Sequence, residues 1–186
     1  MKKEFTITIF TENKIGLLHR LTVTFTRRKI NIDSLNTSES EVAGIYRFTI
    51  VVNISEDQVR KVVKALEKQI GVLKAFYHTV DEIVYQELAL YKVPTTAFAH
   101  GDDVESLIRK HNARILTIEP EYIVVEKAGH KGETTRLFEE LEPYGILQFA
   151  RSGRIAMTKQ IKEFTSYLKD LEQHHDQAQE EVLTYN

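Results

Sequence analysis

The residues of this chain that could do chemistry are concentrated in one short turn near its start. The turn Glu12-Asn13-Lys14-Ile15-Gly16 follows an alternating apolar and polar stretch, and an amphipathic stretch begins at Leu17. A glycine-containing turn that leads into a helix leaves free backbone N–H groups near one point, at the positive end of the helix dipole. Such a point suits a small anion, for example the carboxylate of an amino acid. The dipole contributes about 0.3–2 kcal/mol, so it can orient a ligand but cannot hold one alone.

Catalytic and metal-binding sets of residues are not predicted. Glu12 and Asp33 could be read as a pair of carboxylates for acid–base chemistry, but they lie on separate elements without an attendant nucleophile. The chain has no cysteine, which excludes disulfides and thiolate metal sites. His174-His175-Asp176 is typical of a solvated tail. His19, on the predicted first helix, is expected at the surface or at an interface. The remaining histidines show no spacing typical of metal ligands: His78, His100, His111 and His130.

Composition narrows the class of protein. The chain has 186 residues, 42% of them hydrophobic, which is enough for one large or two small domains. Its 25 Lys and Arg residues nearly balance 27 Asp and Glu residues, so neither a nucleic-acid surface nor a membrane surface is indicated. The first residues carry no apolar signal region, and no apolar run is long enough to span a membrane. We therefore expect a cytoplasmic protein.

The first half of the chain has the pattern of a ferredoxin-like unit. Alternation predicts strands around Phe5–Ile9 and Tyr46–Val52, and a short strand at Ile30–Leu35. Ser55 with Gln58 predicts a capping box, and the apolar face that follows it predicts a second helix, which ends at Gly71. A fourth strand is predicted at 72–80. The resulting order, β-α-β-β-α-β, is that of the ferredoxin-like fold.

The second half repeats this order with little sequence similarity. Its predicted elements are a strand at 85–94, a helix capped by Asp102, strands at 113–118 and 122–128, a helix opened by 129–132, and one strand at 146–155. The fold class is therefore α+β, with two ferredoxin-like domains at 1–81 and 82–158 and a tail at 159–186. The tail carries Ile161, Phe164, Leu168 and Leu171 at helical spacing. This pattern fits a helix packed on its own domain, or one that binds a partner.

Three runs resemble the small, regulatory subunits of acetolactate synthase, whose first domain is an ACT domain. The run Thr11–Leu21 has the family's acid-Asn-x-x-Gly-x-Leu turn and helix, and Arg28–Leu35 has its Asn-Ile-Asp-Ser-Leu strand. Ala150-Arg151-Ser152-Gly153 is similar to the family's signature in the second domain. The resemblance covers residues 3 to 158 or so and leaves the tail out.

The resemblance implies an effector site where ACT domains of two chains lie side by side. Backbone amides of Lys14 to Leu18 are expected to take the effector's carboxylate, and Asn13 to fix the turn or contact the ligand. Gly16 is expected to allow close approach of the backbone. Asn31 and the backbone of Ile32 and Asp33 from the other chain are expected to face the ammonium group. The branched side chain is expected to meet Ile15 and Leu17.

The same resemblance implies the partners. The effector is expected to be a branched-chain amino acid, most often valine, and the chain is expected to form a homodimer through its ACT domains. Its catalytic partner, the large subunit of acetolactate synthase, is expected to carry thiamine diphosphate, FAD and Mg²⁺. This chain itself has no diphosphate-binding glycine run, so no cofactor and no catalytic residue are expected on it.

Other interpretations remain at this stage. The chain could be a free-standing ACT sensor that regulates another enzyme or a transcription factor. The order β-α-β-β-α-β also occurs in RNA-binding modules, but these need exposed aromatic residues on a basic sheet. The second domain resembles the nickel-binding domain of a metal-responsive repressor, although the histidine spacing disfavours a metal site. A ferredoxin-like enzyme is the weakest option, because no nucleophile and base can be paired.

Overall fold

The first half of the chain forms a four-stranded antiparallel sheet with two helices on one face. The computed structural model describes residues 1–98 and 103–160. The elements of the first unit are β1 (Lys3–Glu12), α1 (Leu17–Thr26), β2 (Ser34–Glu39), β3 (Ile45–Ile54), α2 (Glu56–Leu66) and β4 (Val72–His78). The strand order is β2-β3-β1-β4, so β2 and β4 lie at the edges. The order predicted from the sequence is confirmed.

The second half forms a separate antiparallel sheet with the same succession of elements and one additional strand at its end. They are β5 (Ile83–Pro94), α3 (Asp103–Lys110), β6 (Arg114–Ile118), β7 (Tyr122–Gly129), α4 (Lys131–Leu141), β8 (Gln148–Arg151) and β9 (Ile155–Thr158). The strand order is β6-β7-β5-β8, and β9 pairs with the first four residues of β5. The α+β class with two ferredoxin-like units is therefore confirmed. The predicted cap Asp102 and the predicted tail helix lie outside the described residues.

Each unit has its own apolar core between its sheet and its helices. In the first unit Phe5, Ile7 and Ile9 of β1 pack against Leu21 and Phe25 of α1, all at most 2% exposed. Burial of this alternating strand face against an amphipathic helix is the main stabilising contribution. The second core contains Tyr91, Val93, Val104, Val125, Leu137 and Leu141.

The opposite face of the first sheet is covered by a two-stranded ribbon made of β9 and the start of β5. Arg47, which alternates with core residues on β3, donates a hydrogen bond to the carbonyl of Ala156 in β9. Thr6 and Thr49 on the same face are buried as well. Both faces of the first sheet are thus buried, which explains why its polar threonines lie inside the protein.

Two predicted strands are wrong in their limits. The strand predicted at Ile30–Leu35 begins only at Ser34 and continues to Glu39, because Ile30 and Ile32 turn their side chains towards the first core. The polar residues at 36–39, which follow the predicted strand, are part of this edge strand. The strand predicted at 146–155 is divided into β8 and β9, because its two halves pair with different parts of β5.

Candidate functional site

The turn between β1 and α1, which contains the first group of predicted site residues, is held by backbone hydrogen bonds. The N–H of Asn13 donates to the carbonyl of Gly44 at 3.1 Å, and the N–H of Glu12 donates to Gly71 at 2.9 Å. These bonds tie the turn to the two neighbouring chain reversals. Lys14 Nζ also lies 2.5 Å from the carboxylate of Glu12, but both side chains are about half exposed, so this pair adds little stability. The backbone bonds therefore fix the turn.

Gly16 occupies the N-cap position of α1 in a left-handed conformation, with φ of +81° and ψ of −3°. A β-carbon built on Gly16 would meet no atom within 4 Å. Within one chain, therefore, the backbone angle and not a lack of space calls for glycine here. No side chain caps α1, so its first N–H groups have no side-chain acceptor.

Of the five amides expected to face a carboxylate, two already have protein acceptors. Lys14 N–H donates to Glu12, and Leu17 N–H donates to the Lys14 carbonyl at 3.2 Å. Across residues 1–98 and 103–160, the N–H groups of Ile15, Gly16 and Leu18 have no protein acceptor. All three residues are exposed. Three donors at the positive end of a helix form a suitable place for a carboxylate.

Ile15 and Leu17, the two apolar residues expected to meet a branched side chain, are placed very differently. Ile15 is fully exposed, whereas Leu17 is 2% exposed. Leu17 packs against the chain reversal at Gly71, where a β-carbon would lie 3.6 Å from Leu17 Cδ1. Of these two residues, Ile15 is therefore the one whose side chain is at the surface of the turn.

The second group of predicted site residues forms the loop before β2. Asn31 Nδ2 donates to Asp33 Oδ1 at 2.9 Å, and the N–H of Asp33 donates to the carbonyl of Val51 at 2.9 Å. Ile32 packs against the first core. Asn31 and Asp33 are exposed, so an amide oxygen and a carboxylate face solvent together. Oxygen acceptors of this kind suit an ammonium group.

Within one chain these two groups lie at opposite ends of the first sheet. Ser34, which follows the loop, lies beside Val51, and Val51 lies beside Thr6. Glu12, which precedes the turn, lies beside Ile45 at the other end. Thr6 and Glu12 are six residue steps apart on β1, which is a distance of about 20 Å along an antiparallel strand. An amino acid cannot bridge both groups of the same chain.

Two cavities between the units involve residues that the sequence did not single out. One, of about 370 Å³, lies between the first sheet and the ribbon and is lined in part by Arg47, Thr49, Val84 and Met157. Burial lowers the pKa of Arg47, and the charge of Glu41 partly opposes this shift. The alternation of β3 places Arg47 on the face of the sheet opposite the first core. No sequence signal showed that a ribbon covers this face.

The second cavity, of about 360 Å³, is polar and reaches the loop before β2. Its lining includes Asp33, Ser34, Glu87, Arg151 and Arg154. Glu87 is 5% exposed, and its carboxylate lies 3.8 Å from Arg151 Nε. The resemblance had drawn attention to Arg151, but not to Glu87 or Arg154. Their proximity depends on how the two units pack.

Among the described residues, no group of three or more His, Cys, Asp or Glu side chains could hold a metal ion. In the same part of the chain, no helix is long and apolar enough to cross a membrane.

Two family models match the chain, one to each unit. The first is described as an AHAS small subunit-like ACT domain and matches residues 7–74. The second is described as the small subunit of acetolactate synthase and matches residues 86–160. Together they span both sheets.

Curated relatives and a solved structure agree with these models. The acetolactate synthase small subunit of Bacillus subtilis is 36% identical over 172 residues, which cover 92% of this chain and 98% of that protein. The acetolactate synthase small subunit of Mycolicibacterium smegmatis is 32% identical, covering 83% of this chain and 90% of that protein. The crystal structure of the acetolactate synthase small subunit from Thermotoga maritima matches with a TM-score of 0.78 at 24% identity, covering 85% of this chain and 98% of that one.

Proposed function

This chain belongs to the family of acetolactate synthase small subunits, and we propose that it binds a branched-chain amino acid, valine above all, between two copies of its first domain. The family is that of the small subunit and not of the catalytic chain. In this proposal the chain works in the cytoplasm as a homodimer, raises the activity of a large catalytic subunit, and imposes feedback inhibition when valine is bound.

The single observation that carries the proposal is the placement of the two site halves at opposite ends of one sheet. The first sheet ends in β2, an edge strand. When two copies pair antiparallel through β2, a two-fold axis brings the turn end of one copy to the loop end of the other. The turn Asn13–Leu18 of one chain then meets Asn31–Asp33 of its partner. Each dimer has two such sites.

The chemistry of the two halves is complementary to an amino acid. The free N–H groups of Ile15, Gly16 and Leu18 donate hydrogen bonds to the carboxylate, and Asn31 and Asp33 of the other chain accept hydrogen bonds from the ammonium group. The exposed side chain of Ile15 contacts the branched side chain. A site with donors at one end, acceptors at the other and an apolar contact between them suits a small zwitterion.

The catalytic partner supplies the chemistry of the reaction. Its thiamine diphosphate, FAD and Mg²⁺ belong to the large subunit in this proposal, and this chain contributes regulation only. Feedback requires that valine bind more tightly to the inhibited assembly than to the active one. Coupling free energies of about 1–3 kcal/mol are typical of such regulation.

An interchain complementation experiment tests the shared site directly. Gly16→Asp places a negative charge at the carboxylate position, and Asp33→Asn removes the charge that faces the ammonium. Each variant alone should bind L-valine weakly in a calorimetric titration. Mixed dimers contain one intact site and one doubly altered site, so random mixing restores about one quarter of the sites.

The controls test separately which amino acid binds and whether its site is shared between two chains. L-leucine, L-isoleucine and D-valine are titrated in parallel, and each protein is assayed with the purified large subunit for activation and feedback. Recovery of valine binding in the mixture supports a site between chains. If the wild type binds valine but the mixture binds no more valine than the two variants do separately, a site shared between chains is contradicted. If the wild-type protein activates the large subunit but binds none of these amino acids, the proposal that the effector is a branched-chain amino acid is contradicted.

A further inference from the structure

The connection between β8 and β9 is packed directly onto the start of β2. A β-carbon on Gly153 would lie 2.5 Å from the carbonyl oxygen of Leu35 and 2.8 Å from its carbonyl carbon. The N–H of the next residue, Arg154, donates to Ser34 Oγ at 3.0 Å. The backbone of the second unit thus touches the backbone of the first at this point, with no room for a side chain between them.

The side chain of Arg154 then enters the first unit and is 3% exposed. Its Nη1 donates to Thr6 Oγ1 at 2.9 Å and lies 2.8 Å from a carboxylate oxygen of Glu4. Both acceptors are on β1, near the same end of the sheet as Ser34. A buried guanidinium with a carboxylate and a hydroxyl as partners is held firmly in place, because losing the carboxylate leaves a desolvated, unpaired charge and losing the hydroxyl leaves a buried donor without its acceptor.

Arg154 also contacts the second unit, through a stack of side chains. Its guanidinium carbon lies 3.8 Å from the centre of the Tyr85 ring. The ring of His130 stacks on Tyr85 with the centres 4.2 Å apart and the planes 15° from parallel. Two groups at these distances cannot share one face of the ring, so Tyr85 lies between Arg154 and His130. His130 is the N-cap residue of α4.

These contacts form one continuous series from the loop before β2 to the beginning of α4. Ser34 accepts the N–H of Arg154, the Arg154 guanidinium lies on the Tyr85 ring, and the Tyr85 ring stacks on His130. Ser34 follows directly on Asn31–Asp33, the half-site proposed to receive the ammonium group. A shift of that loop by a ligand therefore reaches the backbone N–H of Arg154 through a single hydrogen bond.

We propose that Arg154 is a positioning residue that transmits the ligand state of the loop Asn31–Asp33 to α4 of the second unit. The inference rests on the proposed function for its ligand, but the contacts exist in a single chain without ligand. Its role differs from that of a simple tie between the units. If Arg154 only held the two units together, its replacement would lower stability and nothing else. If Arg154 is a positioning residue, its replacement also removes the effect of valine on α4, although valine still binds.

The experiment is hydrogen exchange by mass spectrometry on the full chain, with and without saturating L-valine. The test variant is Arg154→Gln, and the matched control is Arg109→Gln, an arginine whose side chain is 79% exposed on α3. A second, milder variant is Tyr85→Leu, which removes the stack and leaves Glu4 and Thr6 as partners of Arg154. Tyr85→Phe keeps the ring and serves as its rescue.

In the wild type and in Arg109→Gln, valine should slow exchange both at residues 31–34 and in the first turn of α4. In Arg154→Gln and Tyr85→Leu, valine should still slow exchange at 31–34 but no longer in α4. Tyr85→Phe should restore the response. Undiminished protection of α4 in both test variants would overturn the inference.

The ligand-free samples separate this inference from the proposed function. If the wild type binds no branched-chain amino acid, the proposed function fails, and the exchange of Arg154→Gln without ligand decides the coupling. A joint rise in exchange that is confined to residues 31–34 and the first turn of α4, and is absent from Arg109→Gln, supports a positioning role, whereas a rise throughout both units is the general loss of stability expected of a purely structural link and overturns it. A rise in only one of these segments shows that they are independent and overturns it.

Discussion

Ser34 and Arg154 are 120 residues apart in sequence, yet Ser34 Oγ accepts the backbone N–H of Arg154 at 3.0 Å. This bond joins the first residue of β2 to the segment that separates β8 from β9. Ser34 directly follows the loop Asn31–Asp33. Arg154 directly follows Gly153, which is packed on the carbonyl of Leu35. The junction of the two units and the proposed effector site therefore share one stretch of backbone.

We predict that Gly153→Ala destabilises the protein by about 1–3 kcal/mol, because the added methyl group overlaps backbone atoms that cannot rotate away. The matched control is Gly132→Ala in the first turn of α4, where a β-carbon meets nothing within 4 Å. That change should stabilise by up to about 1 kcal/mol through helix propensity. Urea unfolding of both variants measures the difference. Equal stabilities would mean that the close approach to Leu35 is not maintained in solution.

We predict that Gly16→Asp and Gly16→Asn fold alike but bind valine differently. Both residues tolerate the left-handed backbone better than other side chains do, and the space around Gly16 is open. Only the aspartate carries a negative charge towards the bound carboxylate. Calorimetry should therefore show a much larger loss of affinity in Gly16→Asp than in Gly16→Asn, with the difference reduced at high salt. Similar losses of valine affinity in both variants would show that the size of the added side chain, and not its charge, disturbs binding.

We predict that Thr37→Pro prevents dimer formation through β2. The N–H of Ser40 donates to Ile45, so by alternation the N–H of Thr37 points away from β3, towards the open edge. Proline there removes an edge donor without breaking the ladder inside the chain. Sedimentation at matched concentrations should show monomer for Thr37→Pro and dimer for the control Thr37→Val. Valine binding should be lost together with the dimer, and a monomer that still binds valine fully would contradict a shared site.

We predict that Glu133, at the start of α4, makes a pH-dependent contribution to the free energy of unfolding. The backbone N–H of His130 donates to the Glu133 carboxylate at 2.7 Å, and this bond, helped by nearby cationic side chains, lowers the pKa of Glu133 below its ordinary value of 4.5. A carboxyl group with a lowered pKa in the folded state stabilises the protein above its unfolded pKa. This stabilisation is lost as pH falls through the folded value.

The matched change is Glu133→Gln, which keeps the capping box and removes only the charge. It should lower the free energy of unfolding at pH 7 by roughly 0.5–1 kcal/mol, the low end for a cap because Glu133 is exposed. Chemical unfolding from pH 7 downwards should show this difference shrinking below pH 4.5 and vanishing beneath the folded pKa. A difference that is constant with pH would exclude the charge as its source.

The sequence by itself determined the order of the elements. Alternation in Phe5–Ile9 and Tyr46–Val52, the capping pair Ser55 and Gln58, and helical spacing after Gly16 are local signals, because each reflects the period of one strand or helix against one core. The resemblance carried by the turn and by Asn31–Asp33 gave the family, which the comparisons confirm. The assignment of these residues to an effector site stays a prediction.

Only the tertiary structure decided where those residues lie relative to one another. The pairing of Ser34 with Val51 and of Glu12 with Ile45 shows that the two half-sites are at opposite ends of one sheet. The division of the last predicted strand at Gly153, and the burial of Arg154 against Glu4 and Tyr85, arise from the packing of two units on each other. Contacts between residues more than 100 positions apart depend on shape and burial across the whole chain, and no local period in the sequence records them.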